Sequence, residues 1–274
     1  MASGATLLDE VRTGHLLPRQ GLDESPSLPR VEVRLLGDFE VRVHGQAVTA
    51  AAWSRRHSAA LVKLLALSPG RSLHRELVLD ALWPELDIET AAPRLHKAAH
   101  YARRVLGDRD ALVLSGEAVR LYPRVEVHVD AARFLQAAHS ALEAEDVAAA
   151  KAALALHDGV LLPHDLYEPW AERHRLHLGR LYTELLHQAQ DWHQALIDDP
   201  CDETAHLGLA RRYANGGDRT AALRQLDELQ EVVRRDLGAE PGPQAVALRR
   251  QLTGDTAARS SGDGPCCAPA AGGC

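Results

Sequence analysis

A change of hydrophobic periodicity near residue 50 constrains the fold of this chain more than any other feature. Apolar residues alternate with polar ones from Val31 to Val43, interrupted by Gly37 and Asp38, and this pattern predicts short half-buried strands, with a third near Ala47. Further along, apolar residues recur every three or four positions, which predicts helices. The folded part of the chain is therefore expected to open with a small antiparallel sheet and to continue as helix.

Three helical patterns and a hairpin follow the sheet. The helices are predicted over residues 53–67, 72–82 and 89–106, with stops at Pro69, Pro84 and Gly107. We expect the third helix to start near Pro93, because a missing amide donor costs least in the first turn. Two short strands, predicted over residues 112–114 and 118–122, then enclose Gly116.

The third helix is apolar on one side and basic on the other. Its apolar stripe consists of Leu95, Ala98, Ala99, Ala102, Val105 and Leu106. The opposite side carries Arg94, Lys97, Tyr101 and Arg104, with His100 and Arg103 at its flanks. Sheet, three helices and terminal hairpin is the order of a winged helix-turn-helix, whose third helix enters the major groove of DNA.

Charge is distributed unevenly along a chain whose formal net charge is −7. Residues 31–124 carry 14 basic and 11 acidic side chains, whereas residues 125–253 carry 13 basic and 21 acidic ones. Such asymmetry favours nucleic-acid contact by the basic part, although an excess of this size is also ordinary for a solvated surface. The acidic part is better suited to contact with protein.

Composition supports a mainly α-helical protein with small β elements. Aromatic residues make up only 4% of the chain, and its abundant Ala, Leu and Arg lose little freedom in a helix. No stretch of about 18 apolar residues and no signal peptide is present, which predicts a cytoplasmic protein without membrane contact. The chain has no phosphate-binding loop, nucleophile elbow or HExxH motif, so an enzyme is not expected.

The runs VRLLGDFEVRVHGQAV, WSRRHSAALVKLLALSPG and AAPRLHKAAHYARRVLG resemble the OmpR/PhoB-type winged helix of SARP-type bacterial activators. The runs DLYEPWAERHRLHLGRLYTELL and GDRTAALRQLDELQEVVRRDLG resemble the bacterial transcriptional activator domain, a tetratricopeptide-like helical array. The resemblance covers residues 31–252. It implies a winged helix over 31–124 and a helical domain over 125–252. The Pro- and Gly-containing residues 1–30, without a sustained period, predict a flexible arm, and residues 253–274 predict a flexible cysteine-containing tail.

The same resemblance implies a sequence-specific regulator that docks on promoter DNA and recruits RNA polymerase, with activation rather than repression inferred from the family alone. A homodimer on DNA is one arrangement that it allows. Two features depart from the family pattern. Pro93 replaces a commonly polar residue, and only 13 residues separate Leu186 from Pro200, where a full repeat would need about 30. We therefore expect one repeat to have lost most of a helix.

Candidate DNA contacts follow from the predicted third helix. Arg94, Lys97 and His100 project from its first half and are assigned to base edges or the groove, with Tyr101 on the same face. Six further residues are candidates for contact with phosphates: Arg55, Arg56, Arg71, His74, Arg75 and Arg104. For each of them a merely solvated surface charge is the alternative.

Cysteines form the sharpest local motif outside the predicted domains. Cys266, Cys267 and Cys274 lie within the last nine residues, behind a Gly-, Ser- and Asp-rich tether. Three thiolates suit trivalent arsenic or antimony, or mercury, better than tetrahedral zinc, and they predict an inducer site of the kind found in metalloid-responsive regulators. The alternatives are a tail without specific chemistry and a metal sensor or scavenger in which DNA binding is secondary. No other cofactor is expected, and a metal site among His174, His177, His187 and His193 is not favoured.

Overall fold

The structure, a computed structural model, describes residues 31–259. Within this range the strands are β1 (Val31–Arg34), β2 (Glu40–Val43), β3 (Gln46–Ala47), β4 (Ser72–His74), β5 (Leu112–Ser115), β6 (Ala118–Leu121) and β7 (Val127–Val129). The helices are α1 (Arg56–Leu67), α2 (Arg75–Leu82), α3 (Ile88–Leu106), α4 (Asp130–Ala144), α5 (Val147–Leu154), α6 (Pro169–Ala189), α7 (Trp192–Asp198), α8 (Glu203–Asn215), α9 (Arg219–Val232) and α10 (Pro243–Arg259). The predicted class, mainly helical with small strands, is confirmed.

The first sheet contains the predicted strands and one more. Its order is β3-β2-β1-β7, with β1 antiparallel to β2 and parallel to β7. Val31, Val33 and Val41 are buried, because alternate side chains of a strand point to the same face. Val31 pairs with Val127, so β7 joins this sheet from beyond the predicted boundary at residue 124. Parallel partners need a long connection, and no turn signal in the sequence marks such a pair.

Helices α1, α2 and α3 and a second sheet complete the winged helix. The second sheet has the order β4-β6-β5, and β5 and β6 form the predicted hairpin. The predicted second helix began too early, because residues 72–74 form β4 and Leu73 pairs with Val119 of β6. The helix starts after His74, whose side chain accepts a hydrogen bond from the backbone N–H of Glu76. Tertiary pairing has here overridden a helical sequence pattern.

Helices α4 to α10 follow as a row of packed neighbours. The predicted turn at Gly217 is present, and Asp218 caps α9 by accepting a hydrogen bond from the Ala221 N–H at 2.8 Å. The interval between Leu186 and Pro200 holds the end of α6 and α7, a helix of 7 residues. Trp192 at its start lies against Gly208 of α8, where an added Cβ would be 2.5 Å from the indole ring. The short α7 is therefore held by close packing of Trp192 against α8.

A single hydrophobic core runs through the winged helix and into α4, α5 and α6, and we call it the shared core. It includes Leu61 and Leu95 from the winged helix, and Phe134 and Leu185 from α4 and α6, all with no exposed surface. Asp130 fastens the junction, since its carboxylate accepts hydrogen bonds from the N–H groups of Leu35 and Leu36 at the end of β1. The two predicted domains therefore fold on common packing.

A second and smaller cluster, which we call the distal core, lies between α8, α9 and α10. Its buried members include Leu207, Ala222, Leu226 and Leu229. A small third cluster, built on Leu186 of α6, connects the two cores through α7. Helix α10 continues to Arg259, beyond the predicted end of the helical domain at residue 252.

Candidate nucleic-acid interface

Helix α3 is held by caps at both ends. Asp87 accepts hydrogen bonds from the backbone N–H and the hydroxyl of Thr90, at 2.8 and 3.1 Å, and these bonds lower the pKa of its carboxyl group. At the other end Gly107 takes a left-handed conformation, with φ of 66°. The helix begins at Ile88, so Pro93 lies in its second turn and not near its start as predicted. Its ring leaves the carbonyl of Glu89 without the usual helical donor.

The buried side of α3 fixes which residues face solvent. Leu95, Ala98, Ala99, Ala102 and Leu106 are buried, which confirms this part of the predicted stripe. Four of the predicted contact residues are exposed on the other side: Arg94, Lys97, His100 and Arg104. Tyr101 is half-buried among them, and its ring lies 5.7 Å from that of His100. The face is therefore continuous, basic and free of carboxylates along its outer stripe.

The start of α1 adds a second basic element beside this face. The Arg55 guanidinium lies over the ring of Tyr101, 5.0 Å from its centroid, in a cation–π contact. Between α1 and α3 there is a cleft of about 640 Å³, lined by residues 54–58, Trp83, Arg94, Lys97 and Tyr101. The first turn of α1 contains no acidic residue of its own, so its positive end adds to the charge of the arginines beside it. Such an arrangement is suited to a phosphate group.

His57 belongs to this cleft, although the sequence did not single it out. Its ring stacks on Trp83 with centroids 5.0 Å apart. Burial lowers the pKa of His57 below its ordinary value of 6.5, and the nearby charges of Arg56 and Arg94 act in the same direction. The imidazole is therefore neutral at pH 7. The run SRRHS, which places basic residues and hydroxyls across the start of α1, is the signal that could have indicated it.

Arg56 connects the cleft with the helical domain. Its guanidinium forms an ion pair with Glu168, which immediately precedes α6, and this contact raises the pKa of Arg56. Glu168 also accepts a hydrogen bond from the indole N–H of Trp170, at 3.0 Å. A residue predicted only to touch phosphate thus also joins the two halves of the molecule.

Three of the predicted phosphate contacts are used inside the fold. Arg71 has a φ of 54° and donates hydrogen bonds to the carbonyls of Leu121, Tyr122 and Val125, at 3.3 to 3.5 Å. His74 caps α2 and pairs with Glu117 in the hairpin, at 3.0 Å. The Nε of Arg75 is buried without a hydrogen-bond partner among residues 31–259. Arg71 and His74 thus shape the joint between β4 and the wing, and contact of these three residues with phosphate stays a prediction.

The wing offers one basic residue that the sequence analysis did not select. Arg120 is exposed on β6, between the buried Val119 and Leu121. The alternation in the run AVRLY contains this signal, because a charged residue between two apolar ones on a half-buried strand points to solvent. Arg103, by contrast, donates to the carbonyl of Leu112 at 2.8 Å and ties α3 to the wing.

The sequence analysis also considered metal ligands among the C-terminal cysteines and among four histidines. Cys266, Cys267 and Cys274 lie outside the described residues, as does the predicted arm over 1–30. Within residues 31–259 no group of three or more His, Cys, Asp or Glu side chains is placed to hold a metal ion. His187 instead pairs with Asp202 at 2.6 Å, and the ring of His177 lies 5.9 Å from that of His139. Among the helices described, none is long and apolar enough to cross a membrane.

Comparisons with known proteins agree with this architecture. Residues 124–253 match the family model of the bacterial transcriptional activator domain. Among solved structures, the chain is similar to Mycobacterium tuberculosis EmbR in complex with a low-affinity phosphopeptide, with a TM-score of 0.68 and 19% sequence identity. The match covers 85% of this chain and 69% of that chain. At 19% identity this similarity shows a shared fold and nothing more. Among curated proteins, no sequence matches this chain significantly.

Residues 124–253 therefore carry a bacterial transcriptional activator domain, in agreement with the resemblance to SARP-type activators that the sequence predicted.

Proposed function

We propose that the protein binds promoter DNA with α3 in the major groove, and that Arg94, Lys97 and His100 face the base edges. The observation that carries this proposal is the exposed basic stripe of α3, supported from behind by the shared core. An arginine placed in the major groove forms paired hydrogen bonds to guanine O6 and N7, which discriminates against other bases by roughly 1–3 kcal/mol.

Phosphate contacts in this arrangement come from both sides of α3. Arg55 and the first turn of α1 hold one segment of the DNA backbone at the cleft, and Arg104 of the exposed α3 face holds another. Arg120 of the wing is exposed, and in this arrangement it contacts the phosphates of a neighbouring stretch of DNA. Each such contact releases counterions, so affinity falls as the salt concentration rises.

The helical domain supplies the activating contact. Residues 125–253 carry 21 acidic and 13 basic side chains, and a surface of this sign repels DNA and favours a protein partner. We assign that partner to RNA polymerase, in keeping with the activator family. A homodimer on two half-sites is compatible with this scheme, since regulators of this kind bind repeated sites one helical turn apart.

The proposal is tested by gel-shift titration of promoter fragments with the full chain and with Arg94→Ala, Lys97→Ala and Arg104→Ala. We expect Arg94→Ala to cost roughly 1–3 kcal/mol and to relax base preference. Arg104→Ala should weaken binding to all sequences alike and reduce the slope of log K against log salt by about 0.9. Arg211→Ala, an exposed arginine on α8, is the matched control. Equal binding by wild type and Arg94→Ala on every fragment would overturn the proposal.

A second proposal concerns the cysteine tail and rests on the sequence alone. Cys266, Cys267 and Cys274 provide three soft ligands within nine residues, which suits a trivalent arsenic or antimony ion or mercury. Titration of arsenite, antimonite, mercury and zinc against the full chain and a Cys266→Ser, Cys267→Ser variant tests it. Loss of stoichiometric binding in the variant, with altered promoter affinity in the wild type, is expected. Equal metal binding by both proteins, or unchanged promoter affinity, would contradict an inducer role.

A further inference from the structure

A cavity of about 470 Å³ lies where the winged helix meets the helical domain. One wall comes from the end of α1 and the turn that follows it, residues 66–71, and the other from β7, α4 and α6. Its volume lies within the range of sites that hold small organic molecules, and such sites occur preferentially where two domains meet. None of the proposed DNA-contacting side chains of α3 lines it.

The lining combines an apolar floor with donors that have no partner. Val127, Val129 and Leu178 are buried in the floor. Arg133 and Gln136 lie one helical turn apart on α4, and His174 and His177 lie one turn apart on α6. Arg133, Gln136 and His177 are exposed at the mouth of the cavity and His174 is half-buried. Across the described residues, Arg133, Gln136 and His174 have neither a hydrogen-bond nor an ion-pair partner, and no Asp or Glu lines the cavity.

The combination of polar donors and an apolar floor indicates which class of ligand the cavity would bind. An unpaired guanidinium, an amide and two imidazoles without a neighbouring carboxylate attract an anionic head group. The buried aliphatic floor favours an apolar body and contributes nothing to a bare inorganic ion. Burial also lowers the pKa of the half-buried His174, so its ring is neutral at pH 7 and is available as a hydrogen-bonding group.

The rim of the cavity is fixed before any ligand arrives. Gly70 and Arg71 both have positive φ, 60° and 54°, and the left-handed turn at Arg71 is held by the hydrogen bonds from its guanidinium to three backbone carbonyls. A backbone of this kind persists only where surrounding contacts over-determine it, and it is common at ligand clamps. Little ordering of this backbone is therefore required on binding, and the entropy cost falls on the exposed side chains of Arg133 and Gln136.

We propose that this cavity binds a small amphiphilic carboxylate, with the carboxylate between Arg133 and His174 and the aliphatic body on the Val127, Val129 and Leu178 floor. Because both halves of the molecule line the cavity, the bound ligand contacts the winged helix and the helical domain together. The site does not depend on DNA binding.

Calorimetric titration of the full chain with sodium octanoate, below its micelle concentration, tests the proposal. We expect saturable binding of one octanoate, at least tenfold weaker binding of octanol, and no binding of octylamine or inorganic phosphate. Loss of a charged hydrogen bond in Arg133→Ala should weaken octanoate binding roughly 10- to 100-fold. Ala132→Phe, at an exposed α4 position on the cavity wall, should block binding without changing any charge.

Arg180→Ala is the matched control, because Arg180 is exposed on α6 and does not line the cavity. Circular dichroism establishes that each variant is folded, and Arg133→Gln provides a second helix-compatible replacement. The proposal is overturned if octanoate does not saturate, or if it binds equally well to folded Ala132→Phe. It is also overturned if Arg180→Ala weakens binding as much as Arg133→Ala, or if phosphate binds as tightly as octanoate.

Discussion

The two ends of the helical domain pack into different hydrophobic cores. Helices α4, α5 and α6 are packed into the shared core together with the winged helix, whereas α8, α9 and α10 have the distal core to themselves. The match to the activator domain begins at residue 124, in the middle of the packing that unites β1 with β7 and α4. The unit of sequence similarity is therefore not the unit of folding.

The largest expected effect comes from removing a large side chain from one core at a time. Phe134→Ala should cost about 3–5 kcal/mol and Leu226→Ala about 2–5 kcal/mol, because each leaves a cavity at a fully buried position. Hydrogen exchange should show faster exchange in α1 and α3 for Phe134→Ala only. Unchanged exchange of the winged helix in Phe134→Ala would contradict a shared core.

The junction itself is tested at Asp130. Asp130→Ala removes the acceptor of the Leu35 and Leu36 N–H groups and should cost about 1–3 kcal/mol in urea denaturation. Asp146→Ala removes an exposed cap of α5, which lies wholly within the helical domain, and should cost about 1 kcal/mol. Equal losses of stability in the two variants would show that the hydrogen bonds of Asp130 to the winged helix contribute no more than an ordinary helix cap.

The connection between the two cores is tested at Gly208. Gly208→Ala places a methyl group against the indole of Trp192, and the forced separation of α7 from α8 should cost about 1–3 kcal/mol. Gly179→Ala on α6 is the matched control, because its added Cβ meets nothing within 4 Å. That variant should gain roughly 0.5–1 kcal/mol from reduced backbone freedom. Thermal unfolding should therefore shift in opposite directions, and a stabilised Gly208→Ala would contradict the packing.

The smallest effect is expected from pH. Burial lowers the pKa of His57, His157 and His174, all of which lie in the part of the chain that contains the shared core. A lowered folded-state pKa means that the unfolded chain binds more protons, so the stabilisation is complete above about 6.5 and is lost as pH falls below it. The free energy of unfolding should decrease between pH 7 and 5. His157→Phe, whose ring would stay beside Tyr182, should flatten this slope, and an unchanged slope would exclude His157 as a contributor.

Most of the winged helix was predictable because its signals are local. The end of α3 follows from Gly107 and the apolar stripe before it, whereas its start was expected near Pro93 because the capping residue Asp87 was not recognised. The start of α2 was wrong because residues 72–74 leave the helical pattern only through pairing with β6. Arg71 illustrates the same limit, since an arginine near a binding surface has the same sequence signature whether it faces solvent or, as here, donates to backbone carbonyls.

The sequence by itself determined the class of fold, the three helices and the hairpin of the winged helix, and the basic side of α3, because periodicity and capping act between residues a few positions apart. Only the tertiary structure decided that β7 closes the first sheet, that Asp130 and Glu168 bind the winged helix to the helical domain, and that a cavity lies between them. These contacts join residues about a hundred positions apart, and their partners are selected by packing and burial that no local pattern contains.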